Sequence, residues 1–243
     1  MQLKTVLRRK FRSLTGYDIH KYVDDFVDLQ YRDAFTDIGS RIDRSDPIIF
    51  DVGANRGQTI EKLTSVFPKA HIHAFEPGRV FDVLSQQSWP NGIKLNNVAL
   101  GAAEGTIDFY EHTSSKHSSP LPLNRAGFRG GTTVQCTVPV STIDACSARN
   151  NVLHIDLLKM DVQGYEMNVL RGAEKMLPAV GLIYLEITFA KIYKHAATLD
   201  ELYSFLTNRG FKLVTFYNFH YLDEVAGWTN ALFINSVLNR RIT

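Results

Sequence analysis

Two acidic residues each follow a short run that is rich in apolar side chains. Asp51 comes directly after the run 48–50, and Glu76, 25 positions further along the chain, comes directly after the run 70–75. Such runs are typical of strands buried on both faces, and an open α/β sheet binds its ligands outside the carboxyl ends of these strands. We therefore expect the two carboxylates to reach one ligand from neighbouring strand ends.

The turn after the first acid distinguishes between adenosine ligands. Gly53 and Gly57 allow a close approach of the backbone or a positive φ, but Asn55 and Gln58 stand where a dinucleotide fingerprint has its second and third glycines. An acid before this turn suits an ammonium group better than a phosphate. A carboxylate at Glu76 can accept hydrogen bonds from ribose hydroxyls. Together these features favour S-adenosylmethionine over NAD as the cofactor.

Transfer of a methyl group to a hydroxyl requires that the acceptor be aligned and its proton removed. The candidate catalytic residues lie near the ends of later predicted strands: Asp161, Glu166, Glu186 and His195. Asp161 is the first choice for the base, and Glu166, one helical turn further on, is expected to position the substrate. Lys159 lies within a predicted strand and is expected to pair with a carboxylate.

Alternatives to these catalytic roles stay open. Asp161 could instead be the N-cap of the following helix. Glu186 could anchor loops by hydrogen bonding, and His195 could be an ordinary surface histidine. Asp161 and Glu186 are also candidate ligands of Mg²⁺, a hard cation that prefers oxygen. The sequence offers no clear third ligand, so whether the protein holds a metal is unknown from this pattern.

The elements that position these residues alternate between strand and helix from residue 46 onward. This alternation predicts one α/β domain over residues 46–243, with a mostly parallel sheet covered by helices on both faces. Residues 1–45 predict a helical extension. Residues 101–146 interrupt the rhythm with a predicted β-hairpin, whose Ser-, Gly- and Pro-rich segment 113–132 is either an inert loop or a lid.

The predicted boundaries include a strand over 93–100 and a helix over 165–177. Thr198 and Glu201 predict a capping box at the start of a later helix. The last two strands are predicted over 211–217 and 231–235 with no helix between them, only a segment that contains a Gly-Trp turn region. The last strand is therefore expected to be antiparallel.

Composition limits the classes of protein to consider. The 243 residues are 44% apolar and 21% charged with a net charge of +2, which indicates no strong attraction to nucleic acid or an anionic membrane. Cys136 and Cys146 lack the spacing of a metal site and are expected to be reduced thiols. No apolar run approaches the length of a membrane span and no signal peptide is recognised, so we expect a cytoplasmic protein without membrane insertion.

Six segments resemble the FkbM family of methyltransferases, and together they extend over about residues 47–236. The most diagnostic is Leu158-Lys159-Met160-Asp161-Val162-Gln163-Gly164-Tyr165-Glu166, followed by Val169 to Ala173. The other segments are Asp51 to Gly57, Ala74 to Pro77, Asn97 to Gly101, Val138 to Asp144 and Asn230 to Ile234. Gln163 departs from the family, which usually has Glu at this position.

The resemblance implies the class I methyltransferase architecture, a Rossmann-like sheet of seven strands in which the last is reversed. It also implies a cofactor site. In that site Asp51, Gly53, Asn55 and Gly57 line the methionine end, Glu76 holds the ribose, Asn97 and Ala99 lie near the adenine, and Asp161 lies at the junction of cofactor and acceptor. Ala54, Thr59 and Pro77 lie within the same motifs and are included in this predicted site.

The favoured function is therefore O-methylation of a sugar, glycan or other small-molecule natural product. The alternatives are a non-catalytic module that binds an adenosine ligand and a nicotinamide-dependent oxidoreductase, which the missing fingerprint glycines disfavour. Aromatic residues near the C-terminus are candidates either for an acceptor pocket or for ordinary packing: Phe216, Tyr217, Phe219, Tyr221 and Trp228. Assembly into a homo-oligomer stays open.

Overall fold

The computed structural model describes residues 33–124 and 131–238. Of the predicted helical extension over residues 1–45, the part up to residue 32 lies outside the described residues. Its described end contains helix α1, Ala34–Arg41, which begins after Asp33 because that carboxylate accepts a hydrogen bond from the Thr36 amide at 2.8 Å. The buried side chain of Ile38 packs α1 against the domain. The boundary at residue 45 stays a prediction.

Strands and helices alternate through the rest of the described chain. The strands are β1 (Ile48–Val52), β2 (His71–Phe75), β3 (Ile93–Asn96), β4 (Ala99–Leu100), β5 (Gly105–His112), β6 (Thr133–Ser141), β7 (Ile155–Met160), β8 (Val180–Thr188), β9 (Phe211–Leu222) and β10 (Val225–Asn235). The helices after α1 are α2 (Gln58–Val66), α3 (Val80–Ser85), α4 (Ile143–Arg149), α5 (Glu166–Arg171) and α6 (Leu199–Thr207). Short 3₁₀ turns lie at Ser115–His117 and Leu177–Ala179.

Seven strands form the main sheet in the order β3-β2-β1-β7-β8-β10-β9. The pairs from β3 to β8 are parallel, and β10 is antiparallel to both β8 and β9. This confirms the predicted Rossmann-like sheet with an antiparallel last strand. The order reverses between β1 and β7, and ligands of open α/β sheets bind at such a switch point.

The central strands are apolar on both faces because each face is covered. Successive residues alternate between two buried clusters: Phe50 and Leu158 belong to one, and Ile49 and Leu157 belong to the other. All four side chains are fully buried. This double burial fixes the register of β1 and β7, since a slip by one residue would exchange the two faces.

A second, smaller sheet has the order β4-β6-β5. The predicted hairpin within residues 101–146 is confirmed, because β5 and β6 pair antiparallel from Gly105 opposite Val140. The single strand predicted over 93–100 is wrong. It divides into β3, which pairs with β2 in the main sheet, and β4, which pairs with β6 in the small sheet.

Helix α5 is shorter than predicted, while the predicted start of α6 is confirmed. The pattern over 165–177 indicated one helix, but α5 ends at Arg171 and a 3₁₀ turn follows near Pro178. Gly172 is the C-cap residue of α5. A Cβ atom at this position would lie 2.0 Å from the Gly101 carbonyl oxygen, so the close approach of the two backbone segments leaves no room for a side chain. At α6, Thr198 and Glu201 form the expected capping box.

The last two strands are longer than predicted. β9 and β10 form one hairpin whose turn is Asp223 and Glu224, both with positive φ as in a type I′ turn. The turn expected at Gly227 and Trp228 is wrong, because both residues lie within β10. Among the described residues, no helix is long and apolar enough to cross a bilayer.

Candidate active site

A cavity of about 540 Å³ opens at the carboxyl edge of the main sheet, where β1, β2, β7 and β8 end. Residues from all four strand ends and from the loops that follow them form its wall. The lining includes eight residues that the sequence assigned to the site: Gly53, Ala54, Asn55, Thr59, Glu76, Pro77, Asp161 and Glu186. The cavity therefore lies at the edge where the parallel strands were expected to bind a ligand.

Asp51 forms a buried ion pair with Lys159. Lys159 Nζ lies 2.9 Å from Asp51 Oδ1, the Asp51 side chain is fully buried, and Lys159 also donates to the Gly53 carbonyl oxygen at 3.0 Å. Burial lowers the Lys159 pKa, but the carboxylates of Asp51 and Asp161 outweigh it and raise that pKa above its ordinary value. The prediction that Lys159 pairs with a carboxylate is confirmed, and of the pair it is Lys159 that lines the cavity.

Glu76 reaches the cavity from the end of β2. Its Oε2 accepts a hydrogen bond from the Asn55 backbone amide at 2.7 Å, which connects this carboxylate to the turn after β1. Only 6% of Glu76 is exposed, and burial raises its pKa to about 7. A carboxylate has about four acceptor positions, so the bond from Asn55 leaves Glu76 capacity for hydroxyl groups of a ligand.

The two glycines of the turn serve different contacts. Gly53 has a φ of +77°, and a Cβ atom there would lie 2.0 Å from the Asp161 carbonyl oxygen. Gly57, the N-cap residue of α2, has a φ of +90°, and a Cβ atom there would lie 2.3 Å from the Trp89 ring. Only Gly53 lines the cavity, so Gly57 acts on the site through the packing of α2.

A hydrogen-bonded cluster joins the ends of β7 and β8. Gln163 Nε2 donates to Asp161 Oδ1 at 2.6 Å and to Glu186 Oε1 at 3.2 Å. Gln163 Oε1 accepts from the Tyr193 hydroxyl at 2.7 Å. The carboxamide therefore connects the two acids that the sequence proposed as catalytic residues.

The environment of Glu186 favours its protonated form. Burial raises its pKa well above the ordinary value, and the charges of Asp161 and Glu166 raise it further. Burial and the charge of Glu186 also raise the Tyr193 pKa, so the Tyr193 hydroxyl stays protonated and donates to the carboxamide. Glu186 is thus a stronger proton acceptor, once ionised, than an exposed glutamate.

Glu166 is held by the loop between β7 and α5. Its Oε1 accepts from the Val162 amide at 3.1 Å and from the Gly164 amide at 3.4 Å, and the residue is 3% exposed. Burial raises its pKa to about 7. Glu166 does not line the cavity, so the structure places it where it shapes the loop that carries Asp161 and Gln163.

Three other predicted site residues lie outside the cavity wall. His195 is exposed in the segment before α6, with a φ of +63°. Asn97 is exposed after β3, and Ala99 is buried in the small sheet. Their expected contacts with acceptor or adenine stay predictions. Among the described residues, no group of three or more His, Cys, Asp or Glu side chains is placed to hold a metal ion.

Comparison with known families decides the class of this site. The sequence profile described as the Methyltransferase FkbM domain matches residues 51–213. The chain belongs to the FkbM methyltransferase family. The match begins at Asp51 and includes every residue of the cluster around Gln163, so the family segment supplies most of the cavity lining, while His220 and Trp228 lie beyond it. The predicted membership and the predicted methyltransferase class are both confirmed.

Several named relatives and solved structures are similar to this FkbM methyltransferase. The 2-O-methyltransferase NoeI of Sinorhizobium fredii is 28% identical over 184 residues, which cover 69% of this chain and 76% of NoeI. The hexuronic acid methyltransferase AglP of Haloferax volcanii is 29% identical over 145 residues, covering 58% of this chain and 56% of AglP. The solved FkbM methyltransferase of Methylobacillus flagellatus has a TM-score of 0.48 and 14% identity, covering 77% of this chain and 44% of that one.

The cavity of this FkbM methyltransferase also contains residues that the sequence did not assign to it. The loop after β5 contributes Ser115 to Ser118, and Ser115 Oγ donates to Asn55 Oδ1 at 3.0 Å. The Ser-rich composition drew attention to this loop but could not show its contact with Asn55. His220 lines the cavity next to Trp228, and no spacing in the sequence distinguishes His220 from other hairpin residues.

Proposed function

We propose that this FkbM methyltransferase transfers the methyl group of S-adenosylmethionine to a hydroxyl group of a sugar or of a sugar-containing acceptor. The observation that carries the proposal is that one cavity holds both the Glu76 carboxylate and the cluster of Asp161, Gln163 and Glu186. The similarity to NoeI, named a 2-O-methyltransferase, and to AglP, named a hexuronic acid methyltransferase, supports a carbohydrate acceptor.

The residues at the β1 and β2 ends fit the proposed cofactor. Glu76 is a buried carboxylate that still lines the cavity, which is the arrangement needed to accept hydrogen bonds from two neighbouring ribose hydroxyls. Gly53 to Asn55 form the turn that a nucleoside would lie against, and Asn55 is held there by Glu76 and Ser115. The charged pair of Asp51 and Lys159 lies behind this turn, since Lys159 binds the Gly53 carbonyl oxygen.

S-adenosylmethionine, when bound, supplies a methyl group already activated by a sulfonium. The chain therefore has to align the acceptor hydroxyl and take its proton. We assign the role of proton acceptor to Glu186, because its raised pKa makes its carboxylate a stronger base than that of an exposed glutamate. Asp161, the first choice from the sequence, is assigned to orient the acceptor hydroxyl. Gln163 holds both carboxylates by donating to each of them.

The acceptor is proposed to be a small molecule or a glycan, and the reaction is proposed to take place in the cytoplasm. Neither the oligomeric state nor a requirement for Mg²⁺ enters the proposal. The two candidate Mg²⁺ ligands, Asp161 and Glu186, each accept a hydrogen bond from the Gln163 amide in this structure.

Calorimetric titration tests the cofactor assignment. We expect S-adenosylmethionine to bind the 243-residue chain and NAD not to bind. Transfer of a labelled methyl group to a panel of methyl pyranosides then tests the reaction. NAD binding without S-adenosylmethionine binding contradicts the proposal, and so does cofactor binding with transfer only to amines or to thiols.

A further inference from the structure

We propose that the stacked side chains of His220 and Trp228 form the acceptor subsite, and that they receive the C–H face of a pyranose ring beside Glu186. The inference rests on the proposed function, because it takes the cavity as the place where the acceptor hydroxyl meets the base. It goes further in naming the residues that recognise the acceptor and the part of the acceptor that they contact.

The two rings stack on each other and form an aromatic wall, of which a ligand can contact the outer ring faces and the edges. The centroids of His220 and Trp228 are 4.8 Å apart with an angle of 13° between the ring planes, and both residues line the cavity. His220 is exposed and Trp228 is partly exposed, so the pair is accessible to a ligand. Aromatic side chains in such a position contribute a large apolar contact together with a polar edge.

A β-bulge directs His220 toward the cavity. Tyr217 lies opposite Asn230 and His220 lies opposite Trp228, so β9 has one residue more than β10 between the two pairs. Asn218, in the extra stretch, has a φ of +52°. Because side chains alternate along a strand, one extra residue puts His220 on the same face as Tyr217.

The same bulge turns Phe219 to the opposite face. Its ring stacks on Phe189 with centroids 6.1 Å apart and an interplanar angle of 4°, and it contacts Phe216 at 5.9 Å. Phe219 does not line the cavity. The hairpin therefore presents two aromatic groups on opposite faces, of which only the pair His220 and Trp228 faces the site.

The aromatic wall lies on the same face of the sheet as the proposed base. In the regular pairing of β8 with β10, Glu186 lies opposite Asn230 and Thr188 lies opposite Trp228. Glu186 and Trp228 are thus diagonal neighbours, a relationship that separates residues by about 7–8 Å. A ring that packs on Trp228 can therefore bring a hydroxyl to the Glu186 carboxylate.

The chemistry of the cavity favours a carbohydrate over a flat aromatic acceptor. A pyranose has an apolar C–H face and several hydroxyls at its edge, which match an aromatic wall together with the carboxylates and carboxamide of the Gln163 cluster. A phenol could stack on the same wall but has fewer hydroxyls for these polar groups, and buried polar groups without partners are costly. We therefore assign the subsite to a pyranoside.

Saturation-transfer NMR tests the subsite without requiring turnover. The 243-residue chain, loaded with S-adenosylhomocysteine, is titrated with methyl α-D-glucopyranoside, methyl β-D-glucuronide and catechol. We expect transfer to the ring protons of at least one pyranoside, and a loss of affinity of about tenfold in Trp228→Ala, as expected for removal of an aromatic contact. Trp228→Phe should retain most of the binding.

Phe219→Ala is the matched control, since it removes an aromatic side chain from the same hairpin on the other face. It should leave pyranoside binding unchanged. Equal losses in both alanine variants, no effect of Trp228→Ala, binding of catechol alone, or no binding of any probe would each overturn the subsite. Failure of the proposed function is recognised separately, because the wild-type chain would then not bind S-adenosylmethionine in calorimetry.

Discussion

The Tyr193 hydroxyl donates to Gln163 Oε1 at 2.7 Å, and this bond determines which end of the carboxamide faces the acids. With Oε1 held by Tyr193, the Nε2 amino group points to Asp161 and Glu186. The opposite orientation would place a carbonyl oxygen against two carboxylates. Tyr193 thus determines that Asp161 and Glu186 face an N–H donor, although its own hydrogen bond in this cluster is to Gln163.

Replacing Gln163 by glutamate tests the role of the amide. In Gln163→Glu a donor becomes a third carboxylate, which raises the Glu186 pKa beyond its already raised value. Because ionised Glu186 accepts the proton, the ascending limb of the plot of kcat/KM against pH should shift to higher pH by about one unit or more. A pH–rate profile for methyl transfer to the pyranoside acceptor measures this shift.

Gln86→Glu is the control for this charge change, since Gln86 is exposed and lies outside the cavity wall. It adds the same charge and should leave the profile unchanged. An unchanged profile in Gln163→Glu, with turnover near that of the wild type, would mean that the amide does not set the ionisation of Glu186.

The two acids of the cluster should respond differently to neutralisation. Glu186→Gln removes the proposed base and should lower kcat by about 10²–10⁴-fold, the usual contribution of general base catalysis. Asp161→Asn keeps a group that can orient the hydroxyl, so we expect a smaller loss in kcat. Both variants should bind S-adenosylmethionine with nearly the wild-type Kd.

Single-turnover kinetics with saturating cofactor separates these effects from product release. Glu61→Gln, which neutralises an exposed acid on α2, is the matched control. The larger loss falling on Asp161→Asn would return the base to Asp161, the first choice from the sequence.

The buried pair of Asp51 and Lys159 should stabilise the fold only as a pair. Lys159→Met keeps most of the side-chain volume but leaves the fully buried Asp51 carboxylate without its cation. Removing one partner of a buried pair costs about 3–5 kcal/mol. We expect a loss of this size in the free energy of unfolding, measured by urea denaturation.

The double variant Asp51→Asn, Lys159→Met should recover part of that loss, because no buried charge then stays uncompensated. Lys69→Met removes an exposed lysine and should change the free energy of unfolding by less than about 0.5 kcal/mol. If Lys159→Met unfolds at the same urea concentration as the wild type, the ion pair does not stabilise the domain.

The parts of the site that follow from strand ends were predictable from the sequence. Asp51, Glu76 and Asp161 each come directly after a predicted strand, and the parallel sheet brings these strand ends to one edge. The period of the apolar residues is enough to predict this arrangement, since it depends on which residues are buried and not on detailed packing.

Contacts that depend on bulges or on burial could not be predicted in this way. Asp51 has the sequence context of a ligand-binding acid, yet its partner is Lys159 of the adjacent strand, and only the three-dimensional pairing of β1 with β7 brings the two together. His220 reaches the cavity because of one extra residue in β9. An alternating pattern without that bulge would have selected Phe219 instead.

Gly53 should not tolerate a side chain, because β1 and β7 continue into loops that touch at this point. A Cβ atom in Gly53→Ala would lie 2.0 Å from the Asp161 carbonyl oxygen, a backbone atom that cannot move independently. We expect a loss of more than about 3 kcal/mol in the free energy of unfolding, from the clash and the positive φ together. Denaturation followed by circular dichroism measures it.

Gly105→Ala separates the two causes. Gly105 also has a φ in the range that disfavours a side chain, +148°, but a Cβ atom there would meet nothing within 4 Å. Its substitution should cost only the backbone strain, about 1–3 kcal/mol. Equal losses at the two positions would show that the contact between Gly53 and Asp161 has no energetic weight.

Glu76 should make nucleoside binding depend on pH near neutrality. Burial raises its pKa to about 7, so the carboxyl group of the ligand-free protein is largely protonated at pH 6. The ionised carboxylate accepts hydrogen bonds from ribose hydroxyls more strongly than the protonated carboxyl group does, and the ionised fraction rises about tenfold between pH 6 and pH 8. The Kd should therefore fall over this interval, by up to about tenfold.

The raised pKa also fixes the sign of the effect on stability. The folded protein holds the Glu76 proton more tightly than the unfolded chain, in which the Glu76 pKa is near 4.5. This group therefore contributes stability at low pH, and the contribution is lost as the pH rises from 4.5 to about 7. The shift corresponds to about 3 kcal/mol at most. Ligand-free wild-type protein should lose this contribution between these two values, and Glu76→Gln should not.

5′-Methylthioadenosine is the probe for the binding measurement, because it carries the ribose and no group that titrates between pH 6 and pH 8. Calorimetry at the two pH values compares the wild type with Glu76→Gln, whose amide cannot ionise and should bind the probe weakly with a Kd independent of pH. A wild-type Kd that does not change, or a Glu76→Gln variant that keeps the full pH dependence, would remove Glu76 from the ribose site.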